Sequence, residues 1–120
     1  MIRSSKRKKE EREYRRICQE KRKKLIAQDN WVCFFSGQEL PLMGPVSFHH
    51  LGGRQGVAPD GGNLYLYEPW IVPVLDDFHR AYHDCAVDHL NITWWYKPFL
   101  SRLRDVSEAL YEKEIEKQTK

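Results

Sequence analysis

Phe48-His49-His50-Leu51-Gly52-Gly53-Arg54-Gln55-Gly56 is the stretch on which the rest of this chain turns. Adjacent side chains on an extended strand point to opposite faces, so the two histidines can serve two environments at once. One imidazole can bind a metal while the other takes a proton. A second pair, His79 and His83, lies four residues apart in Asp76-Asp77-Phe78-His79-Arg80-Ala81-Tyr82-His83, which predicts the start of a helix. That spacing puts both rings on one helical face, about 6 Å apart along the axis and within reach of one cation. Four of the five histidines therefore fall into two local clusters.

Working outward, Val46 to Leu51 predicts a short strand and Gly52 to Gly62 a Gly-rich loop that turns at Pro59-Asp60-Gly61-Gly62. Asn63 to Tyr67 is then the returning strand of a hairpin. Pro69 and Pro73 bracket a connector, after which Asp76 or Asp77 is a natural N-cap for a helix running to about Asp88. On it Phe78, Ala81, Tyr82 and Cys85 recur with helical spacing as a core face beside the histidines, and His89 suits the helix end, where a cation is favoured.

Upstream, Trp31 to Phe35 predicts a buried strand closed by the turn Ser36-Gly37. Before it, Glu10 to Gln28 predicts a helix with a narrow apolar stripe of Tyr14, Ile17, Cys18, Leu25 and Ile26, stopped by Asp29-Asn30. Met1 to about Lys9 is too basic to bury anything and is expected to be disordered without a partner. Downstream, Trp94-Trp95-Tyr96 belongs to the core, and a last helix from Pro98 to about Lys117 carries Phe99, Leu103, Val106, Leu110 and Ile115 as its stripe. The chain divides into a basic arm and helix over 1–30, a core over 31–90, and a C-terminal helix over 91–120 that packs on that core.

A chain of 120 residues with 41% hydrophobic and 31% charged residues has room for one domain and its appendages. Its charge is unevenly spread. Residues 1–24 carry twelve Lys and Arg against four Glu, a local +8, which leaves the remainder at −5 within a net +3. Lys6, Arg7, Lys8, Lys9, Arg12, Arg15, Arg16, Lys21, Arg22, Lys23 and Lys24 suit a polyanion, because such side chains displace counterions from a phosphate backbone. The plainer alternative is a solvated charged helix. Cys18, Cys33 and Cys85 form no C-x-x-C pair, which argues for a reducing compartment and against a disulfide scaffold. No apolar run reaches membrane-spanning length and no signal-peptide core follows the basic start, so a cytoplasmic protein without a membrane partner is expected; Asn91-Ile92-Thr93 is then not read as a glycosylation site.

A strand with His49-His50, an Asn63 beyond the loop, and a helix with His79 and His83 together resemble the HNH nuclease superfamily over about Trp31 to Leu90. The adjacent histidines and the closing H-x-x-x-H are most similar to the nuclease domains of the DNase colicins, while Trp31 to Gly37 resembles the lead-in of phage and bacterial members. The resemblance implies an α+β fold, a ββα-metal, treble-clef-like finger flanked by the basic N-terminal helix and the C-terminal helix. It implies a metal-dependent endonuclease acting on double-stranded DNA. His49, His79 and His83 would be its metal ligands, His50 its general base and Asn63 the residue that tethers the loop. The cofactor would be one divalent ion: Mg²⁺, Mn²⁺, Ni²⁺ or Zn²⁺. Two departures stand out. Cys33 lacks the partner cysteines with which many relatives bind a second zinc, and Glu68 to Leu75 looks inserted between Asn63 and the helix.

The chemistry also follows from the residue types. Phosphodiester hydrolysis needs an activated water, neutralised charge on the phosphate and a stabilised leaving oxygen. Three neutral imidazoles leave a divalent ion its full charge and open positions. His50, with an ordinary pKa of about 6.5, is a competent base near neutrality. The amide of Asn63 can bond across the hairpin so that a backbone carbonyl fixes the His50 tautomer. Arg54 and Arg80 are candidate phosphate clamps, Arg80 the better placed because it shares the ligand helix. Two other classes fit the same residues: a non-catalytic nucleic-acid-binding module with a structural zinc, and a helical adaptor for an acidic protein.

Overall fold

The computed structural model describes residues 2–44, 46–53, 56–84 and 94–118, and these form an α+β fold of four helices and a two-stranded antiparallel sheet. Helix α1 spans Ile2–Ala27, strand β1 Ser47–His50, strand β2 Ile71–Val74, and helix α2 Asp76–Asp84. Helices α3 (Tyr96–Val106) and α4 (Glu108–Gln118) complete it. Arg54, Cys85, His89, the expected end of the ligand helix near Asp88, and Asn91 lie outside the described residues. Among the described residues no helix is long and apolar enough to cross a membrane.

The hairpin differs from the sequence expectation. Asn63 to Tyr67 is not a strand; Leu64–Leu66 forms a 3-10 turn, and Glu68–Trp70 a second one. Asn63 begins the first because its side-chain oxygen accepts the Tyr65 N–H at 3.0 Å, a local bond that competes with sheet pairing. The strand that pairs with β1 is Ile71–Val74, inside the supposed insertion, in the register Ser47↔Val74, Phe48↔Pro73, His49↔Val72 and His50↔Ile71. Pro73, expected to close a connector, instead lies within this strand opposite Phe48. Its carbonyl points away from β1 and accepts the Phe34 N–H at 2.9 Å, so the missing N–H falls on the outer side and costs no ladder bond.

Trp31 to Phe35 is only in part the expected strand: Val32 makes a single antiparallel bridge to Glu39, and the chain turns already at residues 34–36. Cys33 N–H donates to the Gln38 carbonyl, Gly37 N–H donates back to Cys33, and Gly37 takes the left-handed φ of +76° that such a reversal requires. The Cys33 sulfur accepts N–H groups of Ser36 and Leu75 at 3.4 and 3.3 Å, which ties this turn to the start of α2. Arg102 of α3 reaches over it and donates to the Phe34 and Phe35 carbonyls, each at 2.6 Å.

The core is aromatic. Cys33, Phe35, Tyr96 and Phe99 are sealed from solvent together with Ile71 and Val74 of β2. Trp95 joins them as expected, whereas Trp94 is 66% exposed. The terminal helix is two helices, because Ser107 adopts an extended backbone and its hydroxyl accepts the Leu110 N–H as an N-cap. The basic segment expected to be disordered continues α1 from Ile2. That helix ends where Asp29 takes a φ of 55° and Asn30 N–H closes back on the Leu25 carbonyl at 2.8 Å, a Schellman-type stop. It docks on the 3-10 turns through Tyr14 stacked on Tyr65 at 4.7 Å and Lys21 donating to the Glu68 carbonyl at 2.8 Å.

Gly52, the first residue past β1 and Leu51, has no room for a side chain. A Cβ there would sit 2.4 Å from the Trp70 ring, so Gly52→Ala forces a rigid indole to move and destabilises the chain by about 1–3 kcal/mol. Urea unfolding checks this: the midpoint falls in Gly52→Ala, and the loss shrinks when Trp70→Ala is added. A midpoint equal to the parent's contradicts the steric reading.

Candidate metal centre

Strand alternation sends His49 and His50 to opposite sides of β1, as the sequence predicts. On one side His49 meets the first turns of α2, which follows β2 after a single residue, Leu75. His49 Nδ1 lies 3.2 Å from His79 Nε2, and the His83 ring centroid is 5.4 Å from that of His49 and 4.8 Å from that of His79. One ligand atom from each of the three lies within 4.8 Å of the other two. With metal–nitrogen bonds of about 2.0–2.1 Å, a tetrahedral ion separates its ligand nitrogens by about 3.3 Å. The His49–His79 pair already has that spacing, and His83, exposed at the outer edge, has freedom to close on it.

The donor set is electronically suited as well. Burial, reinforced by the neighbouring His79 and His83 charges, pushes His49 down to about 3, and burial followed by His83 also lowers His79. Both are therefore neutral at physiological pH, the form in which imidazole offers a lone pair. Beneath them lies Phe35, its ring centroid 5.3 Å from His49 and 4.8 Å from Tyr82 of α2.

No family model, curated protein or solved structure matches this chain.

On the opposite side of β1, His50 is 9% exposed and its Nε2 donates to the Leu64 carbonyl at 2.6 Å. A carbonyl only accepts, so Nε2 carries the proton and Nδ1 is the basic nitrogen of the neutral ring. Asn63 acts through the next residue. Its side chain caps the turn that presents the Leu64 carbonyl, and its amide donates to Glu10 of α1 at 2.6 Å, fixing the loop to the helix.

Arg80 is exposed and lines an open recess of about 320 Å³ with Ser47, Asp76, His79 and His83. Along α1, Lys6, Arg7, Lys8, Lys9, Arg12, Arg15, Arg16, Lys23 and Lys24 face solvent. Lys21 and Arg22 are half-buried, and both heads are committed within the fold: Lys21 to Glu68, and Arg22 to the Leu42 carbonyl at 2.5 Å and the face of Trp31. Reading the sequence missed Glu114, which is 5% exposed and accepts hydroxyls of Tyr82 and Tyr96, each at 2.5 Å. The signal was there: Glu114 stands four residues after Leu110, on the apolar stripe of its helix.

The depressed His49 fixes a pH response for the metal-free chain. Above about pH 6.5 this residue is neutral in both folded and unfolded chains; below it the unfolded chain takes up a proton that the folded chain refuses. Stability therefore falls as pH drops from 6.5 toward about 3. Denaturation midpoints measured with a chelator across that range should decline, and His49→Asn should flatten the decline; equal slopes in the two proteins contradict the assignment.

Proposed function

We propose that this chain is a metal-dependent HNH-type endonuclease that hydrolyses DNA phosphodiester bonds, with β1, β2 and α2 as a ββα-metal, treble-clef-like finger. The observation that carries the reading is the convergence of His49, His79 and His83, from a strand and a helix, to within 4.8 Å. These three would hold one divalent ion, Mg²⁺, Mn²⁺, Ni²⁺ or Zn²⁺. When bound, the ion supplies Lewis-acid neutralisation of charge on the phosphate and on the leaving oxygen.

The remaining work falls to the chain's own side chains. His50 would act through Nδ1, the nitrogen turned away from Leu64, taking a proton from water as the water oxygen bonds to phosphorus and the P–O3′ bond breaks, leaving a 5′-phosphate and a 3′-oxygen that gains its proton from solvent; Nδ1 is sealed from solvent in this structure, so the step requires substrate binding to admit a water beside β1. The Leu64 carbonyl keeps Nε2 protonated and stabilises the imidazolium as it forms. Arg80, beside His79 and His83, can pair two phosphate oxygens at once. The solvent-facing Lys and Arg of α1 grip the duplex backbone, a contact without base preference.

One observation favours a second reading, a nucleic-acid-binding module in which the metal is structural. His50 is buried and bonded to Leu64, and a histidine so held also works as a strut between strand and turn. Nicking of supercoiled plasmid separates the two. The nuclease cuts with at least one of the four metals, and His50→Ala lowers the rate by about 10²–10⁴ while metal still binds. A structural module cuts nothing, and His50→Ala cutting at the parental rate removes the general base.

A further inference from the structure

A second recess abuts the histidine cluster on the side of the C-terminal helix, and the mechanism above leaves it unused. It encloses about 270 Å³ and is lined by His49, Gly52, Gly53, Lys113, Glu114 and Lys117, among others. The loop side is bare backbone: Gly52 is held without a side chain by Trp70, and Gly53 has a φ of +83°. The helix side carries charge. Lys113 and Lys117 stand i,i+4 on α4, hence on one face, and both are exposed. Among the described residues neither lysine forms an ion pair.

Glu114 is the one carboxylate that lines the recess, and its two oxygens already accept the Tyr82 and Tyr96 hydroxyls. Two ammonium groups against one carboxylate make the hollow positive. Leu51, Phe99, Leu103 and Leu110 give the recess an apolar lining, and the two lysines give it its positive charge; a tetrahedral oxyanion held by those two flexible ammonium heads can also approach Gly52 and Gly53 closely, since neither brings a side chain.

We infer that Lys113 and Lys117 form a subsite for a backbone phosphate neighbouring the one that is cut, so that the substrate is a polynucleotide strand rather than an isolated phosphodiester. The inference rests on the nuclease reading only for which phosphate is cleaved. Arg80 lines the other recess, at His79 and His83, while the lysines line this one at His49. A strand crossing the three imidazoles therefore meets a cation on either side.

The test is binding of a short fluorescent DNA duplex to the full chain in chelator, over a range of salt concentrations. The parent binds with a negative slope of log K against log salt. Lys113→Gln/Lys117→Gln weakens binding and reduces the magnitude of that slope by about 0.9, the value for one lost phosphate contact. Lys97→Gln, which removes an exposed charge from the first turn of α3, keeps the parental slope. A double variant with the parent's affinity and slope overturns the subsite, as does a parent whose binding ignores salt. Plasmid cutting by the same parent preparation is scored separately: failure with every metal removes the nuclease, whereas the slope decides the subsite either way.

Discussion

The ring of Phe35 is the contact on which the site depends. It is sealed from solvent, and its centroid lies 5.3 Å from His49, 6.2 Å from His79, 4.8 Å from Tyr82 and 5.0 Å from Phe99. One side chain thus holds the turn at Cys33, strand β1, helix α2 and helix α3 at fixed distances from one another. Burying such a ring contributes about 1.5–3 kcal/mol. Because interiors are close-packed, it also leaves His49 little freedom to drift from the helical pair. Around it the bracing is aromatic packing and a cysteine sulfur that accepts two backbone N–H groups.

Polar groups near that ring are shifted toward their neutral form or bonded to partners. Burial lowers both His49 and His79, with the His79 and His83 charges adding to the shift of His49 and the His83 charge to that of His79, and the Glu114 carboxylate is bonded by two tyrosine hydroxyls. Tyr82 links the two systems, packing 5.5 Å from His49 and 5.3 Å from His83 while its hydroxyl reaches Glu114. The far side of β1 is built differently. There His50 bonds a turn carbonyl, and that turn is held by Asn63 and by α1 through Glu10, Tyr14 and Lys21. The basic helix suited to a polyanion is therefore also the brace behind His50.

Much of the site was legible in the sequence because it follows from two short-range periodicities. Alternation along a strand separates His49 from His50, and the i,i+4 rule unites His79 with His83; neither needs knowledge of tertiary contacts. The hairpin was not legible in the same way. Leu64-Tyr65-Leu66-Tyr67 carries a strand-like alternation that a single Asn63 cap overrides, while Pro73 hides a strand whose outward-facing nitrogen makes the proline harmless. The break at Ser107 and the inward turn of Glu114 were both written locally, as a serine able to cap and a carboxylate on an apolar stripe. The extension of α1 back to Ile2 could not be read from polarity alone, since strong helix formers carry a helix that buries little.

A metal centre at this place requires that three imidazoles from separate parts of the chain share one ion. Crystals grown with zinc and measured at its absorption edge test this most directly. The predicted result is a single anomalous peak about 2.0–2.1 Å from one nitrogen each of His49, His79 and His83. A chain that takes up no zinc, or a peak held by other residues while these three rings point apart, contradicts it.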